Sequence, residues 1–174
     1  MKNDLTDLVI RQPVKADAGP LLEYLKIIGG ESDNLSFGPE GHPNTIEQEE
    51  TFIEALERSE THLMVVADYG GEIIGDASLF GSPRERLRHS LELGISVKKA
   101  YWHMGVATRL LEAIIDRVRA LPHVIQITLE VKSDNERAIR LYEKFGFTVT
   151  GVRSKRMHIK GVYYDTILMV KPLK

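Results

Sequence analysis

Between Leu91 and Val131 the spacing of apolar residues changes period twice, and few folds accept such a change. Leu91, Leu93, Ile95 and Val97 alternate with Glu92, Gly94 and Ser96, as in a strand with two distinct faces. From Val106 the apolar positions recur as Val106, Leu110, Ile114, Val118 and Leu121, one side of a helix. Pro122 breaks that helix. Ile125, Ile127, Leu129 and Val131 then alternate with Gln126, Thr128 and Glu130 as another strand. Strand, helix and strand in succession point to an α/β fold, in which helices cover a sheet.

The rest of the chain extends this reading. Leu8 to Ile10 is a short apolar strand. Asp17 stands where a helix cap is expected, with Pro20 in the first turn and Leu21, Leu22, Leu25 and Ile28 as the apolar stripe. Gly29-Gly30 is expected to end that helix. The stretch ESDNLSFGPEGHPN is rich in turn formers and long for a connection, a composition common in binding loops. Thr45 and Gln48 have the spacing of a capping box, ahead of Phe52, Ile53 and Leu56. The strands THLMVVAD and EIIGDASLF meet at Tyr69-Gly70-Gly71, a hairpin signal, and the charged SPRERLR leads on to Leu91. Ser133 and Glu136 suit a second capping box, for a helix carrying Ala138, Leu141, Tyr142 and Phe145 with Gly146 just past its end. Two last strands, in FTVTGVRSKRMHI and VYYDTILMVK, join around Lys160-Gly161. The order is β-α-α-β-β-β-α-β-α-β-β, with no repeat, linker or low-complexity segment. One α/β domain over residues 1–174 is expected, a mixed central sheet flanked by helices.

Composition removes several kinds of function. The chain has no cysteine, which excludes disulfides, thiolate zinc sites and cysteine nucleophiles and fits a reducing cytoplasm. A formal net charge of −2 supplies no global basic field for nucleic acid or an anionic membrane. Met1 to Asp7 is polar, unlike a signal peptide, and no apolar run is long enough to span a bilayer. A cytoplasmic protein with no nucleic-acid or membrane partner is expected. The six histidines are scattered without a His-x-x-x-His pair, so no metal is expected either. Charge is uneven, however. Glu31 to Glu60 holds nine acids against Arg58 alone, and Lys132 to Lys160 holds eight Lys or Arg against three acids. Such runs are read as two solvated faces, or as a cationic substrate on one side and an anionic ligand on the other.

AYWHMGVATRLLEAII, residues 100–115, opens its helix with Gly105 and the small residues Val106, Ala107 and Thr108 instead of an ordinary polar cap. N–H groups at a helix start lack internal partners and sit at the positive end of the dipole, so a diphosphate is a natural occupant. Gly105 lets a ligand approach without a Cβ in the way, and Ala107 keeps the next position small. The spacing fits neither a Walker loop nor the glycine triplet of a dinucleotide fold. Taken alone, one glycine before a helix is simply a helix entry.

LELGISVKKAYWHMGVATRLLEAII, with LEVKSDNERAIRLYEKFGFTVTGVRSK and YYDTILM, resembles the GNAT superfamily of acyl-CoA-dependent N-acetyltransferases, specifically from about Leu91 to Val170. That family's Q/R-x-x-G-x-G/A loop maps onto Trp102-His103-Met104-Gly105-Val106-Ala107. Gly105 and Ala107 match. Trp102 departs from the pattern, and His103 and Met104 stand where glycine and a basic or polar residue are common. The resemblance implies acetyl-CoA as cosubstrate, held by Ile95, Val97, His103, Met104, Gly105, Val106, Ala107, Thr108, Asn135, Ala138, Tyr142 and Lys144. It implies that Asn135 bonds the pantetheine arm, that Tyr142 sits beside the sulfur and that a backbone N–H near Val97 meets the thioester oxygen. Asn135, Ala138 and Tyr142, three and four residues apart, share a helix face. The plain alternatives are a core aromatic for Tyr142 and a dipole-complementing lysine for Lys144.

The chemistry fits those residue types. An alkyl amine with a pKa of about 10 must lose a proton before it attacks. A phenol can protonate a thiolate whose pKa is about 8.5. Tyr142 takes the role of acid. Glu92 is the first candidate for base, against the alternative of a sheet-edge carboxylate paired with Arg or Lys; Asp165, Glu130, His89 and His158 are its rivals. Glu31, Asp33 and Glu40 fall in the long loop where the resemblance puts the acceptor, which points to a cationic small-molecule or peptide amine. RSKR, residues 153–156, is expected to be a solvated hairpin. Relatives are commonly homodimers, and a homodimer is the assembly implied. The alternative function is a non-catalytic acyl-CoA-binding or sensor domain on the same scaffold.

Overall fold

Two hairpins and one crossover determine the sheet of this protein. The computed structural model describes residues 5–174, so the first four residues of the polar start lie outside it. The elements are β1 (Leu8–Arg11), α1 (Ala18–Glu31), α2 (Ile46–Leu56), β2 (His62–Tyr69), β3 (Glu72–Gly81), β4 (Ser90–Val97), α3 (Val106–Val118), β5 (Gln126–Lys132), α4 (Glu136–Lys144), β6 (Thr148–Ile159) and β7 (Val162–Pro172). Their order is the expected one. Gly70 and Gly71 have φ of 61° and 88°, and Lys160 and Gly161 have 51° and 82°, so each two-residue turn closes its hairpin with both central residues in the left-handed region. The seven strands lie in the order β1-β2-β3-β4-β5-β7-β6. Only β4 and β5, joined through α3, run parallel.

The two faces bury different elements. Leu91 and Leu93 of β4, with Ile127, Leu129 and Val131 of β5, pack against Val106, Leu110, Leu111, Ile114 and Val118 of α3 and Tyr142 of α4. On the other face Leu21, Tyr24 and Ile28 of α1 and Ile53 and Leu56 of α2 close over Met64, Val66 and Ile73. The alternation read in the sequence is this division of faces.

Three local expectations are corrected. Asp17 does not cap α1 with its side chain; it accepts from the Val14 N–H at 2.7 Å and pairs with Arg11 at 2.6 Å, closing the 3-10 turn before the helix. Gly29 and Gly30 do not end α1, which runs on to Glu31. They are small because the following loop crosses the helix there: a Cβ on Gly29 would lie 2.0 Å from the Gly38 carbonyl oxygen. Asn135, not Ser133, caps α4, accepting from the Ala138 N–H at 3.3 Å. The Thr45–Gln48 capping box forms as expected, with bonds of 2.9 and 3.3 Å.

Candidate active site

The site begins as a parting of two strands. β4 and β5 pair only from Ser90–Gln126 to Glu92–Thr128. The Lys98 N–H bonds the Ile74 carbonyl at 2.9 Å, and Val97 lies opposite Gly75. Antiparallel bonding alternates along a strand. Even-numbered positions of β4 therefore bond β3, while Ile95 and Val97 aim their backbone groups the other way, into the gap where β5 has left. The Val97 carbonyl is used there, accepting from the Trp102 indole N–H at 2.7 Å.

On the α3 face the gap is flanked by the helix start expected from the sequence. Gly105 is the residue before the first helical turn, with φ of 82°, and no side chain caps α3. A Cβ at Gly105 would meet nothing within 4 Å. His103 also has a positive φ, 64°. Glycine at Gly105 thus serves both the turn and an open approach to the N–H groups of Val106, Ala107 and Thr108, which have no partner within the helix. Such a start fits a diphosphate. Trp102 is half-buried, Met104 likewise, and His103 is exposed.

α4 brings three of its four expected residues, Asn135, Ala138 and Tyr142, to this face. Asn135 uses Oδ1 as the helix cap, which leaves its amide Nδ2 as a donor. Tyr142 is buried and positioned by the way α4 ends. Gly146, with φ of 84°, sends its N–H to the Glu143 carbonyl at 2.9 Å, and the Phe147 N–H reaches Tyr142 at 3.1 Å, a Schellman motif. The same turn sets the Phe147 ring edge-on to Tyr142 with centroids 5.8 Å apart. Burial alone pushes the Tyr142 phenol up to about 12, so it is a proton donor throughout the neutral range. Lys144 is placed elsewhere. It lies beside Glu112, Asp116, Arg119 and Lys171, against the C-terminal half of α3. The start of α4 is the end near the Gly105 loop, and nine helical residues carry Lys144 away from it.

On the opposite face lies an open cleft of about 560 Å³, lined among others by Phe80, Leu87, Ser90, Glu92, Gly94 and Thr128. Glu92 is exposed and its carboxylate has no hydrogen bond or ion pair with any described residue. Gly94, the next residue on that face, would meet nothing within 4 Å with a Cβ added, so the strip beside Glu92 is clear. The rival carboxylates are occupied. Glu130 accepts from Thr166 at 2.5 Å, Arg153 at 3.1 Å and Arg156 at 3.0 Å, and Asp165 accepts from the Lys155 N–H at 2.8 Å. His158 stacks on Tyr163, centroids 4.5 Å apart. The three acids of the long loop do not converge either. Glu31 accepts from the Lys99 N–H at 2.7 Å, Glu40 from the Gly38 N–H at 2.7 Å, and Asp33 pairs with Lys160 at 2.8 Å. Among the described residues no group of three or more His, Asp or Glu is arranged to hold a metal ion, and no helix is long and apolar enough to cross a membrane.

Sequence reasoning missed a polar cluster under this face. Asp76 is buried and accepts from Ser96, from Ser78 at 3.2 Å and from Tyr24 at 3.5 Å, and Tyr24 and Ser96 are themselves 2.8 Å apart. Burial pushes the Asp76 carboxyl up to about 6, against the three hydroxyls that favour its ionised form. A carboxyl raised in the folded state stabilises the fold below its unfolded value and loses that contribution as pH rises through the folded one. The stability difference between the wild type and Asp76→Asn should therefore shift by about 2 kcal/mol against the wild type between pH 4 and pH 7. Urea unfolding of both proteins across that range measures it.

The chain matches the model of the acetyltransferase (GNAT) family over residues 31–147. It belongs to that family. It is 31% identical over 107 residues to the L-amino acid N-acetyltransferase AaaT of Escherichia coli, a match covering 62% of this chain and 66% of the relative's length. An acetyltransferase of the GNAT family from Streptococcus pneumoniae has the same fold, with a TM-score of 0.93 and 30% identity over 96% of this chain and 99% of that one. YncA from Salmonella typhimurium, whose structure holds its cofactor acetyl-CoA, is similar in fold, with a TM-score of 0.83 at 22% identity over 96% of this chain and 94% of that one.

Proposed function

We propose that the protein transfers an acetyl group from acetyl-CoA directly to a primary amine. One observation carries this reading. The gap between β4 and β5 separates a free carboxylate, Glu92 on the cleft face, from an uncapped helix start and a buried phenol, Tyr142, on the other. The two substrates of an acyl transfer can meet there from opposite sides.

The diphosphate is assigned to the N–H groups from Gly105 to Thr108, and the pantetheine arm to Asn135 and the free backbone edge at Ile95. Glu92 takes the amine proton, directly or through water. The amine attacks the thioester carbonyl, and the Val97 N–H meets the oxygen as it gains charge. Collapse expels the thiolate, to which Tyr142 gives its proton. The acceptor is a small-molecule or peptide amine. The cleft favours one with an apolar part, since Phe80 and Leu87 line it, and a relative named for L-amino acids agrees. Glu31 and Glu40 bond backbone N–H groups and pair with no cation among the described residues, which supports a cationic acceptor. The reading includes a cytoplasmic homodimer, with no role for metal, nucleic acid or membrane.

The test is release of CoA thiol from acetyl-CoA across a panel of amines grouped by charge. Turnover with a primary amine, fastest for cationic members at moderate salt, is expected. Acetyl-CoA binding without turnover by any amine would favour the sensor reading.

A further inference from the structure

The cation that reaches the loop before α3 comes from α4, and it is Arg137. Its guanidinium carbon lies 4.3 Å from the centroid of the Trp102 ring, over its face, and Nη1 is 3.4 Å from His103 Nε2. Trp102 is itself fixed, since its indole N–H holds the Val97 carbonyl at the end of β4. The acids next to Arg137 in sequence are engaged by other cations: Asp134 by Lys132 at 2.7 Å and Glu136 by Arg140 at 3.4 Å. Arg137 has no acid partner among the described residues. A guanidinium without a counter-ion therefore rests on an aromatic platform, beside a loop whose own residues, Trp102, His103 and Met104, contribute no permanent charge.

We propose that Arg137 is a determinant of cofactor recognition: it supplies the side-chain cation for the diphosphate of acyl-CoA, held in place by Trp102. This rests on the acyl-CoA reading of the site. The loop amides give the phosphates geometry, and Arg137 adds the charge-assisted bond that they lack. Trp102 ties that bond to Val97, on the edge where the thioester is assigned, so it couples the phosphate end of the cofactor to the reacting end.

The experiment is calorimetric titration of the wild type, Arg137→Met and Arg137→Lys with CoA and with dephospho-CoA, which keeps the diphosphate but lacks the 3′-phosphate. Arg137 is exposed, so both variants fold. Arg137→Met should weaken both ligands about tenfold, and Arg137→Lys, which restores a point charge, should recover most of that. Trp102 is the only tryptophan in the chain, so its emission reports the loss of the stacked guanidinium in each variant. Unchanged affinity in Arg137→Met overturns the proposal. So does equal weakening in both variants, which would make Arg137 a packing residue, and so does a loss confined to CoA, which would move the contact to the 3′-phosphate. A wild type that binds neither ligand refutes the acyl-CoA reading itself.

Discussion

Glu92→Gln is expected to lower kcat by about 10²- to 10³-fold while leaving affinity for acetyl-CoA within about twofold, since a positioned general base contributes about that much. The substitution keeps size and removes only the ability to take a proton. Glu92 is exposed on the cleft face, at the last residue of β4 still paired with β5. No described residue bonds its carboxylate, so the change breaks no ion pair and the fold should survive. Acetyl-CoA is assigned to the other face, which is why its binding should hardly change. The defect should shrink with an acceptor of low pKa, already neutral at the assay pH, and a rate series over amine pKa reads this directly. A uniform defect across the series would remove Glu92 from proton transfer.

Tyr142→Phe should lower kcat by about 100-fold, the lower end of the range for a general acid. The ring stays, with its contact to Phe147 and the Schellman turn behind it. Only the hydroxyl goes, and no described residue bonds it. Thermal midpoint should therefore move little, while steady-state kinetics lose rate. The loss should be smaller with an acyl donor whose thiol is more acidic, because such a thiolate leaves without a proton. A variant as fast as the wild type would return Tyr142 to the role of a core aromatic. Because burial holds the phenol at about 12, no limb of the kcat profile between pH 6 and 10 should belong to it.

Local pattern revealed much of this and long-range pairing the rest. The change of period from Leu91 to Val131 showed a strand, a helix and a strand because each face is buried against a different layer. Gly105 was legible as an open helix start because a left-handed φ and an absent Cβ leave the same mark, a glycine. The parting of β4 from β5 was not legible: Ile95 and Val97 alternate as though still paired, and hydrogen-bond partners leave no periodicity. Ser133 and Asn135 are both good caps, and only the turn after β5 chooses Asn135. Asp76 was not legible as part of a polar cluster, because its partner Tyr24 is 52 positions away on α1. Lys144 and Arg137 are both cations of one helix. Which one meets the Gly105 loop depends on the direction of α4 against α3, a fact of packing alone.

Direct transfer is the central claim, and initial rates with acetyl-CoA and amine both varied test it most directly. A ternary complex across the gap predicts double-reciprocal lines that intersect. Parallel lines would signal an acetyl-enzyme intermediate and contradict the account.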